Sequence, residues 1–120
     1  MASNPEANHF KIAHAAIRPI ATGHGACIAS NLITRKGQKV ASMYREAPDR
    51  SGDSGWRFKS GLESDQDLED PDGFGIYDVN TIANYDPEII PYLSAAAESA
   101  FEREGGVGPF AAVNFDPPAE

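Results

Sequence analysis

The charges of this 120-residue chain are segregated along its length. Residues 1–59 carry nine Lys/Arg against four Asp/Glu, a net of +5, while residues 60–120 carry fourteen Asp/Glu and a single cation, Arg103, a net of −13. Six of those acids, Glu63, Asp65, Asp67, Glu69, Asp70 and Asp72, fall within ten residues. Like charge at that density repels itself, so residues 62–73 read as a solvated loop rather than a packed element. Such a segment also repels nucleic acid, phosphate-rich substrates and anionic membranes, and attracts a basic protein or a cation. The cations of the first half are expected to pair internally with the acids of the second.

The length suits one domain with a real core. Its expected bounds are a flexible lead-in over 1–8, a single domain over 9–116 and a flexible tail over 117–120. Eleven Gly and nine Pro indicate a loop-rich fold. One cysteine, Cys27, forms no internal disulfide framework, so no oxidising compartment is implied. No run approaches the roughly eighteen apolar residues that span a bilayer, and the N-terminus does not read as a signal peptide. The expected location is the cytoplasm.

Local pattern gives an α+β fold: a single small domain with a twisted antiparallel sheet and a few short helices. Residues 9–21 suit a short strand followed by a helical turn, with Pro19 disfavouring helix at Arg18. Residues 26–34 and 39–45 read as a hairpin across the turn at 35–38. In the run 56–61, Trp56 and Phe58 share one face, with Arg57 and Lys59 on the other. Asp78 is placed to cap a short helix through Ala83, and Asp86-Pro87 is a stronger helix start. Residues 99–103 and 110–115 form a last hairpin across Gly105-Gly106.

No motif for chemistry survives its spacing test. Counted from Asp65, a calcium loop of the EF-hand type would need Gly at its sixth position and Glu at its twelfth, where Asp70 and Ile76 stand. His14, His24 and Cys27, with His9 nearby, match no established zinc spacing. Cys27, flanked by Ala26 and Ile28, reads as a buried inert thiol rather than a nucleophile. Gly23-x-Gly25 lacks the third glycine of a dinucleotide fingerprint, since Ile28 occupies that position. Arg35, Lys36, Lys39, Arg45, Arg50, Arg57 and Lys59, interleaved with Tyr44 and Trp56, could face nucleic acid, but the overall −8 opposes it. Trp56, Phe58, Phe74, Tyr77, Tyr85 and Tyr92 read as core before they read as a recognition surface. No catalytic residue, metal or cofactor is expected.

The strings GACIAS (25–30), KVASMYRE (39–46), DSGWRFKSG (53–61), GIYDVNTIANYDPEIIPYL (75–93) and SAFERE (99–104) occur here in one order. Together they resemble a small bacterial family of immunity proteins of polymorphic toxin systems, the thirty-third in that series and formerly a domain of unknown function. The resemblance covers about residues 10–115, and its most specific part is the central string with Tyr77-Asp78, Asn80-Thr81 and Asn84-Tyr85-Asp86-Pro87. It implies a non-enzymatic cytoplasmic protein that binds and neutralises a cognate protein toxin. On that reading Glu63, Asp65, Asp67, Glu69, Asp70 and Asp72 supply charge to the interface, and Trp56, Tyr77 or Tyr85 an aromatic anchor. The alternative is a small enzyme or ligand-binding domain with a polar site over residues 77–86. Against it, Asp78 and Asp86 have a ready use as caps, and Asn80 and Asn84 as partners for backbone.

Overall fold

The computed structural model describes residues 10–48 and 51–115. The expected lead-in and tail, and with them His9, Asp49, Arg50 and Asp116, lie outside the described residues. Six strands make one sheet: β1 (Ala26–Ser30), β2 (Ser42–Arg45), β3 (Asp53–Lys59), β4 (Phe74–Asp78), β5 (Ala100–Glu102) and β6 (Ala111–Val113), in the order β4-β1-β3-β2-β5-β6. The helices are short: α1 (Asn31–Thr34), α2 (Asp65–Glu69) and α3 (Val79–Tyr85), with 3-10 turns including His14–Ala16 and Pro87–Tyr92. The architecture is the α+β class expected, with a mostly antiparallel sheet. Its β1–β3 pair is parallel.

That parallel pair replaces the expected hairpin of 26–34 with 39–45. Ser30 ends β1 early because its hydroxyl accepts the Leu32 N–H and caps α1. Gly37, at φ 76°, then lets the Gln38 N–H reach back to the Leu32 carbonyl, which stops the helix. Strand β2 therefore pairs with β3 and β5 instead of β1. Among the described residues no strand stands before residue 21, and a 3-10 turn at His14–Ala16 is found there. The last hairpin forms as β5 and β6, and Asp78 and Asp86 cap α3 and the 87–92 turn.

Strand alternation gives the sheet two unlike faces. Cys27, Ala29, Met43, Trp56 and Phe58 point to one side, where α1, α3 and the 87–92 turn contribute Ile33, Ile82, Ile89 and Leu93. Trp56 stacks on Phe58 with ring centroids 6.0 Å apart, and its indole N–H donates to the Leu93 carbonyl at 3.2 Å. No described helix covers the opposite face. On it a bulge shapes β3: Ala26 and Ile28, two residues apart, oppose Asp53 and Arg57, four apart. Gly55 sits inside the bulge at φ 88°, where a Cβ would lie 2.1 Å from the Glu46 carbonyl oxygen. The compression brings Asp53 and Arg57 onto one side, close enough for two hydrogen bonds at 2.9 and 3.0 Å.

A second ion pair lies at the far corner. Arg103, the lone cation of the acidic half, bonds Asp86, and both side chains are 1% exposed. The Asp86 carboxylate also accepts from the Val40 N–H at 2.9 Å and from the Glu88 N–H. Arg103 donates to the carbonyls of Val40 and Gly108 and to Glu88, and its guanidinium lies 4.3 Å from the Phe110 ring centre. Asp86→Ala strands a buried guanidinium and a buried N–H together. It is expected to lower unfolding free energy by about 3–5 kcal/mol in urea titration, with a loss below about 1 kcal/mol showing the pair to be dispensable.

Candidate functional site

The acidic segment connects β3 to β4 and is solvated as expected, with no buried residue, but it is a short helix and a turn rather than a loop. Three of its six carboxylates fold it. Glu63 accepts from the Ser60 N–H at 2.9 Å, the Ser60 hydroxyl at 2.7 Å and the Gly61 N–H at 3.0 Å. Asp67 and Ser64 exchange reciprocal bonds at the start of α2, each side chain accepting the other's backbone N–H. Asp70 caps the 71–73 turn by accepting the Asp72 N–H at 2.8 Å. The Asn31 amide, from α1, donates to the Asp72 carbonyl at 2.5 Å and ties the connector to the body. Asp65, Glu69 and Asp72 project into solvent.

The expected aromatic anchors are placed elsewhere. Trp56 is fully buried, so it has no surface to offer a partner. Tyr85 is 6% exposed; its hydroxyl donates to the Thr34 carbonyl at 2.7 Å and accepts from the Ile12 N–H at 3.0 Å. Burial raises its pKa, against the hydrogen bonds from the Ile12 and Lys11 backbone. Tyr77 is half-buried, donates to Asn31 at 2.8 Å and meets Phe10 edge-on. All three sit toward the helix-covered side of the sheet. The six acids share the connector; of the three aromatics Tyr77 reaches it, through Asn31, which bonds both its hydroxyl and the Asp72 carbonyl, while Trp56 and Tyr85 are buried.

The polar cluster over 77–86 holds a strap, residues 10–21, across α3. The Asn80 side-chain oxygen accepts the N–H groups of Ile20 and Ala21 at 2.9 and 2.8 Å. Asn84 accepts from the Arg18 N–H and donates to the Arg18 carbonyl, both at 2.9 Å. Asp78 caps α3 by accepting the Asn80 N–H. A shallow depression of about 220 Å³ lies beside the strap, formed by Phe10, Ile12 and Ile17 with His14, Tyr77, Thr81 and Tyr85. No described carboxylate lines it, so it lacks the converging acids that a polar catalytic site over 77–86 would need.

The basic residues are used one by one. Lys39 donates to the Tyr85 carbonyl, and Arg45 to the carbonyls of Ser54 and Ala95. Arg35 lies over Phe10, and Lys59 over Tyr44. Arg57 pairs with Glu46 and Asp53, both from its own half of the sequence, and its pKa is pushed up by the hydrogen bonds to Asp53. Arg103 likewise pairs within its half, so the expected neutralisation of one half by the other is not the pattern among the described residues. Cys27 is buried at 1% exposure, and burial, then the charge of Asp78, pushes its thiol pKa up, away from nucleophilic use. Among the described residues no group of three His, Cys, Asp or Glu is arranged to hold a metal ion. No described helix is long and apolar enough to cross a membrane.

A strand-and-helix body with a folded acidic connector is the setting for the comparison with known proteins. Residues 27–114 match the immunity protein Imm33 domain, and the chain belongs to that family of immunity proteins. The family carries a toxin-immunity role. No curated protein and no solved structure matches the chain. The strap over 10–21 precedes the matched region, while the side chains that hold it lie inside.

Two outcomes are expected. Asn80→Ala leaves the Ile20 and Ala21 N–H groups without their acceptor; stability falls by about 1–3 kcal/mol, and hydrogen exchange at those two amides quickens while sheet amides stay protected. Unchanged exchange at Ile20 and Ala21 would show that Asn80 does not hold the strap. Burial raises the pKa of Glu63, but hydrogen bonds from the Ser30 and Ser60 hydroxyls and the backbone outweigh it and hold the carboxyl below its ordinary value. A depressed carboxyl stabilises the fold above its unfolded pKa and loses that contribution as pH falls through the folded one. Glu63→Gln is therefore expected to flatten the melting temperature below about pH 4–5, and an acid limb identical to wild type would refute the assignment.

Proposed function

We propose that this protein is a stoichiometric, non-enzymatic immunity protein of a polymorphic toxin system, acting in the cytoplasm by binding its cognate toxin. The acidic connector approaches a basic region of that toxin. The observation that carries the reading is the division of labour among its six acids. Glu63, Asp67 and Asp70 are bound into turns and caps, which leaves Asp65, Glu69 and Asp72 exposed on a folded support. Family membership supplies the class of partner, and the net −13 of residues 60–120 supplies the charge that would speed encounter with a basic one. Trp56 and Tyr85 have no exposed surface to contribute to this contact, and Tyr77 contributes at most an edge.

The test replaces Asp65, Glu69 and Asp72 together by Asn and leaves the three folding acids intact. Stopped-flow association with the toxin-domain protein encoded by the neighbouring gene is expected to slow by about 10-fold or more at low salt, with a flatter salt dependence. An on-rate and a level of protection equal to wild type would remove the connector from the interface.

A further inference from the structure

We infer that the uncovered face of the sheet is the surface on which the toxin docks, through apolar side chains set on either side of a Lys or Arg; this rests on the function proposed above and specifies where contact is made. The strand registers align one residue from each strand across this face: Ile76 opposite Ile28, Ile28 opposite Arg57, Arg57 opposite Tyr44, Tyr44 opposite Ala100, and Ala100 opposite Val113. Five strand spacings make the row about 24 Å wide, the scale of one partner's share in a standard protein–protein interface. Ile76 is 72% exposed, Val113 38% and Ile28 36%, which puts three of the large exposed apolar side chains of the described chain in this one row. Exposed apolar side chains gathered at both ends of one strand row, on a chain otherwise rich in surface charge, mark a contact site.

The electrostatics select the kind of partner. At the centre of the row Arg57 is only 8% exposed although no helix lies over it, because Glu46 and Asp53 bind its guanidinium. That cluster carries one net negative charge. Lys59 and Glu102 flank the next row, where they pair with Ser42 from either side. The acidic connector enters β4 at Phe74, opposite Ser30 and two residues from the Ile76–Ile28 pair. A face with apolar ends and a charge cluster of net −1 at its centre complements a partner that sets apolar side chains about a Lys or Arg. A second copy of this chain fits poorly, since a two-fold contact would bring two such net-negative faces of a −8 protein together.

The test uses the full chain, two surface variants at opposite ends of the row, Ile76→Asp and Val113→Asp, and the toxin-domain protein encoded by the neighbouring gene. Each chain is first sedimented alone and melted. Retained melting temperature in either variant keeps the test valid if the other is unstable. The expected result is a dissociation rate raised at least tenfold in both variants, with the salt dependence of association preserved. If wild type binds and both folded variants dissociate at the wild-type rate, the face is not the docking surface and the function proposed above stands. If wild type does not bind that toxin, the function falls and this inference with it. If wild type sediments as a dimer that Ile76→Asp dissociates, the face belongs to self-association and the inference is overturned.

Discussion

A guanidinium buried without a counter-charge would cost several kcal/mol, and that constraint organises one whole corner of this fold. Arg103 meets it through Asp86, and the geometry closes a ring with a backbone: Val40 donates its N–H to Asp86 and accepts from Arg103 through its carbonyl. Val40 leads into β2, Arg103 leaves β5, and Asp86 ends α3. The three elements cannot shift independently without leaving a buried donor or charge unmatched. Because β2 lies between β3 and β5, fixing its entry also fixes the sheet order on that side. The same carboxylate starts the 87–92 turn, so a single Asp serves as cap, counter-ion and backbone acceptor.

The opposite side of the molecule solves the same problem by different means. Arg57 lies on a strand with no helix above it, and its charge is matched by residues four and eleven positions away in sequence. The bulge at Gly55 makes that possible, since an undistorted strand would hold Asp53 and Arg57 about 13 Å apart. What covers Arg57 is therefore polar and thin, and the row around it stays open. The helix side carries a core sealed by Trp56, Ile82 and Leu93, with the strap fastened across α3 by Asn80 and Asn84. One face is committed to stability, and the other is left with apolar side chains in water.

Much of this was legible where a residue acts on its own neighbours. Asp78 and Asp86 read as caps and act as caps, and the pairing of 99–103 with 110–115 across adjacent glycines followed from turn chemistry. Ser30 carried the same kind of signal and was masked, because the apolar run 26–34 looks continuous through it while its hydroxyl begins α1. The connector misled in the same way: its charge rightly suggested solvation but also suggested a loop, while Ser64 three residues before Asp67 is a capping-box pattern that starts α2. Contacts between distant segments left no such mark. Nothing near Asn80 announces that its acceptor serves Ile20 and Ala21, sixty and fifty-nine residues away. The aromatic residues picked as anchors were chosen by type, and type favours burial, so Trp56 and Tyr85 went to the core. The open row was hinted at only by the alternation in Phe74–Asp78, which turns Ile76 away from Tyr77.

Charge segregation changes meaning once the pairs are placed. Among the described residues, Arg57 and Arg103 each find carboxylates within their own half, and Lys39 and Arg45 are taken up by carbonyls. The exposed acids thus remain an outward field, and its reach of roughly 8–10 Å at physiological salt governs approach rather than close fit. Close fit requires apolar area, and the connector, with only Leu62 and Leu68 as large exposed apolar groups, offers little of it. The open sheet face supplies that area beside the connector. Using half of the connector's carboxylates as caps reduces the repulsion among the rest and fixes where they point. Charges held in place lose less entropy when a partner arrives than charges on a loose loop. On the function proposed above, a folded acidic connector and a sheet face with exposed apolar ends would combine fast encounter with slow release, which is the kinetic requirement on any protein that must stop a toxin before it acts.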